Sequence, residues 1–241
     1  MFSKHYLEQE KFFKNQEGYQ SGRFDYNFSD ETELRMFLDF CERNQVEGQK
    51  IFDVGAGFGR FTIPLLTHGA EVTASEISDL SLLIIKQNAE LRGIGAHLKL
   101  IETTLEEPVF EDEFDLTFCI NVLHHVESPE NVFRNMVKAT AHGGTVAILE
   151  PNPLNPFFYP YFIWRGELKY EKGIFRSRKA KLLKLFHQNS LSKVRYLPYG
   201  LIPSKVTKAF SSSRSRNFDW RKTKLLSPFC MFHIISGVKE R

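Results

Sequence analysis

Apolar residues recur at Leu34, Phe37, Leu38 and Cys41, the three-to-four spacing of one helix face. Asp30 followed by Glu33 predicts a capping box that opens this helix, which runs to about Arg43, and Gly48 ends the connection. Ile51-Phe52-Asp53-Val54 then reads as a short buried strand, and residues 61–67 as a helix stopped at His68-Gly69. A second strand is predicted over 70–75. A helix capped by Ser78 follows to about Arg92 and closes at Gly93. Strands are predicted at 97–101 and 114–120. Next comes a helix with Ser128 as its cap and Pro129 at its first position, ending before His142-Gly143-Gly144. Residues 145–149 give a fifth strand. Strands alternating with helices over about 100 residues predict parallel βαβ units covered by helices on both faces. Residues 1–28 have no clear period. After Pro151 the alternation breaks. Residues 151–176 are rich in proline and aromatics, and 177–188 read as a basic amphipathic helix. Residues 194–197 give a sixth strand, 200–228 read as irregular and basic, and 230–238 give the last strand.

The segment Asp53-Val54-Gly55-Ala56-Gly57-Phe58-Gly59-Arg60 carries the chemistry. A strand runs through three alternating glycines into a helix. Without side chains, the turn can be tight and a ligand can approach its backbone. The spacing is GxGxG, whereas a dinucleotide fingerprint reads GxGxxG. Asp53, two residues before the first glycine, would repel a pyrophosphate; it suits a ligand bearing an ammonium and a sulfonium. Glu76, at the end of the second strand, can accept both hydroxyls of a ribose.

These residues resemble the first motif of the class I S-adenosylmethionine (SAM)-dependent methyltransferases of small-molecule type. Asn121-Val122-Leu123-His124-His125-Val126 is similar to the segment after their fourth strand, and His142-Gly143-Gly144-Thr145 to their turn before the fifth. The resemblance covers residues 48–150 and the C-terminal strand. It implies a three-layer Rossmann-like sandwich with a mostly parallel seven-stranded sheet and an antiparallel last strand. It also implies one domain over 1–241: an N-terminal cap and helix (1–47), a SAM-binding core (48–150), and an acceptor-side lid, basic helix and last strands (151–241). The cofactor implied is SAM, with S-adenosylhomocysteine as product, and no metal. Asp53 is then expected to serve the methionyl ammonium through water or backbone, and Gly55, Ala56, Gly57 and Gly59 to line methionine and ribose. Glu76 would bind the ribose and Ile77 pack on adenine, with the Asn121 carbonyl and adjoining Val122 near the ammonium. The family often has an acid after strand three that bonds the adenine amine. Here the sequence reads Glu102-Thr103-Thr104-Leu105-Glu106, so Thr104 and Leu105 are the expected adenine contacts.

Three sets of residues bear on the acceptor. His124 and His125, just past strand four, are candidate bases or simply packing and capping histidines; Glu150, ending strand five, is another candidate. Residues 151–164 form an aromatic lid, a membrane-interface patch around Trp164, Arg165 and Lys169, or a small extra core. Arg214, Arg216, Phe218, Trp220, Arg221, Lys222 and Lys224 form a nucleic-acid contact or a solvated loop. Arg23, with Tyr19 and Tyr26, is a candidate for the cofactor carboxylate. No Asn/Asp-Pro-Pro-aromatic tetrad follows strand four and no catalytic cysteine pair is present, which marks down adenine or glutamine N-methylation and cytosine-C5 chemistry.

Charge sharpens the acceptor question. Residues 1–150 hold 13 Lys+Arg against 25 Asp+Glu, whereas 151–241 hold 19 against 4. A basic C-terminal third favours an anionic partner, or partly neutralises the acidic part. Cys41, Cys119 and Cys230 form no framework, no apolar run is long enough to span a bilayer, and the N-terminus does not read as a secretory signal. A cytoplasmic protein is therefore expected. The reading is a methyltransferase acting on a small or lipid-linked acceptor, on which an anionic group would suit the basic third, with oxygen preferred as the methylated atom. The alternatives are an RNA methyltransferase using the basic third and a non-catalytic SAM-binding regulator.

Overall fold

A computed structural model describes residue 6 and residues 28–156, 159, 172–200 and 224–240. Arg23, Tyr19, Tyr26, most of the aromatic segment and the basic residues from Arg214 to Lys222 lie outside the described residues.

The described elements are α1 (Phe28–Phe40), β1 (Lys50–Val54), α2 (Thr62–Thr67), β2 (Glu71–Glu76), α3 (Asp79–Leu91), β3 (Leu98–Glu102), β4 (Phe114–Ile120), α4 (Pro129–Ala139), β5 (Thr140–Pro151), α5 (Lys179–Gln188), β6 (Leu191–Tyr199) and β7 (Phe232–Lys239). Short 3₁₀ turns occupy Gly95–His97, Lys172–Ser177 and Lys224–Phe229. The seven strands form one sheet in the order β3-β2-β1-β4-β5-β7-β6. β1 pairs in parallel with β2 and β4, and parallel pairing continues to β3 and β5. β7 runs antiparallel between β5 and β6. The Rossmann-like sandwich with an antiparallel last strand is thus the observed architecture.

Alternation along each strand divides the core. Ile51, Val72, Ala74, Leu116, Phe118, Ala147, Leu149 and Ile234 face one layer with α1, α2 and α3. Phe52, Val54, Cys119, Val146, Ile148 and Ile235 face the other, with α4 and α5. Two predicted caps are in place: Ser78 accepts from the Ser81 N–H and Ser128 from the Asn131 N–H, and Pro129 opens α4.

Several boundaries differ from expectation. Helix α1 begins at Phe28, so Asp30 lies inside the first turn rather than at the cap. The helix ends at Phe40 in a Schellman arrangement: Arg43 N–H donates to the Leu38 carbonyl and Glu42 N–H to that of Asp39. Glu42 takes the left-handed conformation (φ 57°) usual for glycine. His142-Gly143-Gly144 is not a turn before β5 but a bulge within it. Phe114 pairs with Thr140 and Leu116 with Thr145, so the extra residues are absorbed in one strand. Finally, the stretch read as irregular over 200–228 ends in the 3₁₀ turn Lys224–Phe229, which runs one residue past it.

Candidate functional site

The carboxyl edge of the parallel strands gathers the loops after β1, β2, β3, β4 and β5, the place where such sheets bind ligands. Gly55 is required there by close approach: a Cβ would lie 2.5 Å from Val122 Cγ2, so the β1 turn packs directly on the β4 loop. Gly57 differs. Its φ of +54° favours glycine, and a Cβ would meet nothing within 4 Å among the described residues, which leaves room for a ligand against the backbone.

Glu76 closes this turn. Its Oε2 accepts from the Gly57 N–H at 3.0 Å and its Oε1 from the Ile77 N–H at 2.8 Å. A carboxylate has about four lone-pair sites, so these two amide bonds do not by themselves exhaust it. Ile77 is partly buried against the α4 layer. Asp53 is buried, and its Oδ2 accepts from the Thr62 hydroxyl at 2.6 Å, tying β1 to α2. Burial pushes the Asp53 carboxyl up to about 7 against the opposing Thr62 bond, and the charge of Glu76 adds to the rise.

After β3, Leu105 has φ 56° and a buried side chain. Its N–H donates to Thr103 Oγ1 and its carbonyl accepts from Asn135 Nδ2. Both backbone groups are therefore engaged, and the partly buried Thr104 hydroxyl in turn accepts from the Glu106 N–H at 3.4 Å. Tyr6 reaches this region from the front of the chain. Its hydroxyl donates to Glu106 Oε1 and accepts from the Glu127 N–H, while Glu106 Oε1 also accepts from the Ser128 N–H.

The loop after β4 is the most heavily supported part. Asn121 is left-handed (φ 56°), a conformation asparagine tolerates, and its N–H donates to the Leu149 carbonyl. Glu150 is fully buried and satisfied on both oxygens. Oε1 accepts from the N–H groups of Val122 (2.9 Å) and Leu123 (2.8 Å). Oε2 lies 2.7 Å from His124 Nδ1 and accepts from Ser177 Oγ at 2.9 Å. Burial alone would raise this carboxyl. Instead His124 beside it, with the Leu123 and Ser177 bonds, holds it below the usual carboxylate range. An ionised carboxylate only accepts, so Nδ1 of buried His124 carries a proton and donates it to Glu150 Oε2. The His125 ring lies 3.9 Å from that of His124, centroid to centroid.

The 3₁₀ turn Lys172–Ser177 straps this loop from outside. A Cβ on Gly173 would fall 1.6 Å from the His124 carbonyl oxygen, and Arg176 Nη1 donates to the Val126 carbonyl at 2.5 Å. His233 is the register partner of Glu150 on β7. Its Nδ1 lies 3.0 Å from the Tyr196 hydroxyl; burial, helped by the charge of Lys179, pushes its pKa down to about 4, so it stays uncharged beside the dyad. The structure thus brings Asp53, the glycines, Glu76, Ile77, Val122, His124 and Glu150 to one edge. Sequence reasoning missed Tyr6, Glu106, Gly173 and Ser177, none of which carries a local motif.

Residues 52–148 match the family described as "Methyltransferase domain". The chain is 34% identical over 109 residues to a mitochondrial ubiquinone biosynthesis O-methyltransferase of Schizosaccharomyces pombe, covering 44% of this chain and 40% of that protein. It is 27% identical over 126 residues to the Pseudomonas fluorescens ubiquinone biosynthesis O-methyltransferase, covering 52% and 54%. The chain therefore spans about half the length of the curated relatives it matches. In fold it resembles geranyl diphosphate C-methyltransferase from Streptomyces coelicolor, with a TM-score of 0.67, 13% identity and 98% of each chain covered. The family match thus lies on residues 52–148, within a sheet that has the fold of these methyltransferases.

Proposed function

We propose, from the premise that this is a class I SAM-dependent methyltransferase, that it methylates an oxygen of a small or lipid-linked acceptor. The observation that carries the oxygen preference is the Glu150–His124 pair, a carboxylate orienting an imidazole beside the loop after β4. The similarity to O-methyltransferases supports the same atom.

Gly57 and Glu76 would hold the ribose, Gly55, Ala56 and Gly59 the methionine side, Ile77 and Thr104 the adenine, and Asn121 with Val122 the ammonium. When bound, SAM supplies a methyl group already activated on its sulfonium. The chain's own work is alignment, exclusion of water and removal of one proton. The acceptor hydroxyl would give up its proton toward the Glu150–His124 pair, where the buried Glu150 carboxylate would offset the positive charge gained by His124. His124 then returns the proton to solvent. The three cysteines form no disulfide and are buried, which fits a reducing compartment such as the cytoplasm. No helix among the described residues is long and apolar enough to cross a membrane.

The test uses labelled SAM and purified protein against a panel of phenolic, alcoholic and isoprenoid hydroxyl acceptors. Glu150→Gln keeps a carbonyl for the Val122 and Leu123 amides and removes the charge behind His124. Turnover is expected to fall about 10²-fold or more in it, and likewise in His124→Asn, with SAM affinity little changed. Full turnover in both variants would remove the dyad from the reaction.

A further inference from the structure

We infer that the carboxyl edge of this protein docks on an anionic lipid bilayer, through apolar tips at Leu154, Phe175 and Phe229 bordered by the basic start of α5. Six large apolar side chains are exposed among the described residues, and these three are 62%, 48% and 46% exposed. Leu83 and Leu91 lie singly on α3, and Val109 lies in the β3–β4 connection. The three tips, in contrast, share one end of the molecule. Leu154 follows β5, Phe229 precedes antiparallel β7, and Phe175 sits in the turn strapped over the β4 loop.

They are also joined by contacts. Asn152 Nδ2 donates to the carbonyls of Ser227, Pro228 and Cys230, and Asn155 Nδ2 to that of Phe229. Both asparagines are 1% exposed, so two buried amides staple the loop carrying Leu154 to the one carrying Phe229. From Pro153 the connection continues through the Tyr159 hydroxyl, which donates to its carbonyl at 2.6 Å. The Tyr159 ring stacks on Phe175 at 6.0 Å. The Arg178 guanidinium lies 5.8 Å from the Phe175 centroid. Apolar side chains held out to water by buried polar staples mark an interaction surface.

Charge selects the partner. Residues 172–200 contain eight Lys+Arg and no Asp or Glu. Arg176, Arg178, Lys179, Lys181 and Lys184 are exposed, while Leu182, Leu185 and Phe186 turn inward to the core. A few apolar tips within a cationic rim suit the headgroup boundary of an anionic bilayer. Single-stranded nucleic acid fits less well, because Leu154, the most exposed of the three, offers no stacking face. The inference rests on the proposed function only in what the bilayer delivers: a lipid-linked hydroxyl would enter at the edge that bears His124.

Cosedimentation of the full chain with vesicles tests this without turnover. Binding is expected to vesicles of phosphatidylcholine mixed with phosphatidylglycerol, weakening with salt, and not to phosphatidylcholine alone. Phe175→Ser with Phe229→Ser should lower the partition coefficient about tenfold. Lys181→Glu with Lys184→Glu should abolish the preference for the charged vesicles. Thermal melting and calorimetric SAM affinity should match the parent chain in both variants, which separates lost docking from lost folding. No binding to the mixed vesicles, binding unchanged in both variants, or retention by single-stranded RNA alone would overturn the inference. Vesicle binding by a protein that methylates no tested acceptor would sustain the surface and count against the proposed reaction.

Discussion

Glu76 ties the turns after β1 and β2 together through the Gly57 and Ile77 amides, so its role in a ribose site is inseparable from shaping that site. Glu76→Ala should weaken SAM by about 1–3 kcal/mol, the range for a lost charge-assisted hydrogen bond, read by calorimetry. Unchanged affinity would place the ribose elsewhere. Asp53 gives a pH signature. Its pKa of about 7 lies above the unfolded value of about 3.9. Between these values the native state keeps a proton that the unfolded chain has released. The stability owed to this group therefore declines as pH rises across that window. Binding of a cationic amino acid end favours the ionised form, so affinity for S-adenosylhomocysteine should rise as pH passes through 7. Asp53→Asn should flatten that dependence; a profile identical in both proteins would detach Asp53 from the ammonium.

At the scale of elements, the 3₁₀ turn Lys172–Ser177 positions the β4 loop through Gly173, Arg176 and Ser177. Gly173→Ala sets a methyl group against the His124 carbonyl, so one of the two segments must move, at a cost of about 1–3 kcal/mol. We expect turnover to drop more than SAM affinity, because His124 shifts while the glycine turn of β1 stays. Equal losses in both would mean that the whole edge had moved. The elements were largely legible from the sequence where their signals are local. Ser78, Ser128 and Pro129 act within three residues of themselves, and the apolar alternation of the strands is a property of the strand alone. The end of α1 was not legible, because Glu42 adopts the left-handed conformation without being glycine. The Gly143-Gly144 pair misled, because a bulge inside a strand and a turn before one ask for the same residues.

Across the whole molecule the functional edge is assembled from distant parts, which is why the site was only half readable. The glycine turn and Glu76 carry a spacing that a sequence displays. The bond from Ser177 to Glu150 depends on how the strap folds over the sheet, and the bond from Tyr6 to Glu106 joins residues 100 positions apart, so neither leaves a pattern. Tyr6→Phe removes that bond to a carboxylate, and chemical denaturation should show a loss of about 1–3 kcal/mol. The division of charge between an acidic front and a basic rear has a spatial counterpart in α5, whose exposed lysines border the acceptor edge. The account as a whole stands on the ligand of the glycine turn. Calorimetric titration of the full chain with SAM, S-adenosylhomocysteine and NAD, alongside Gly57→Val, tests it most directly. The account predicts binding of the first two, none of NAD, and loss of binding in the variant, whose branched side chain would fill the space beside the turn. Tight NAD binding without SAM binding, or full SAM affinity in Gly57→Val, would contradict it.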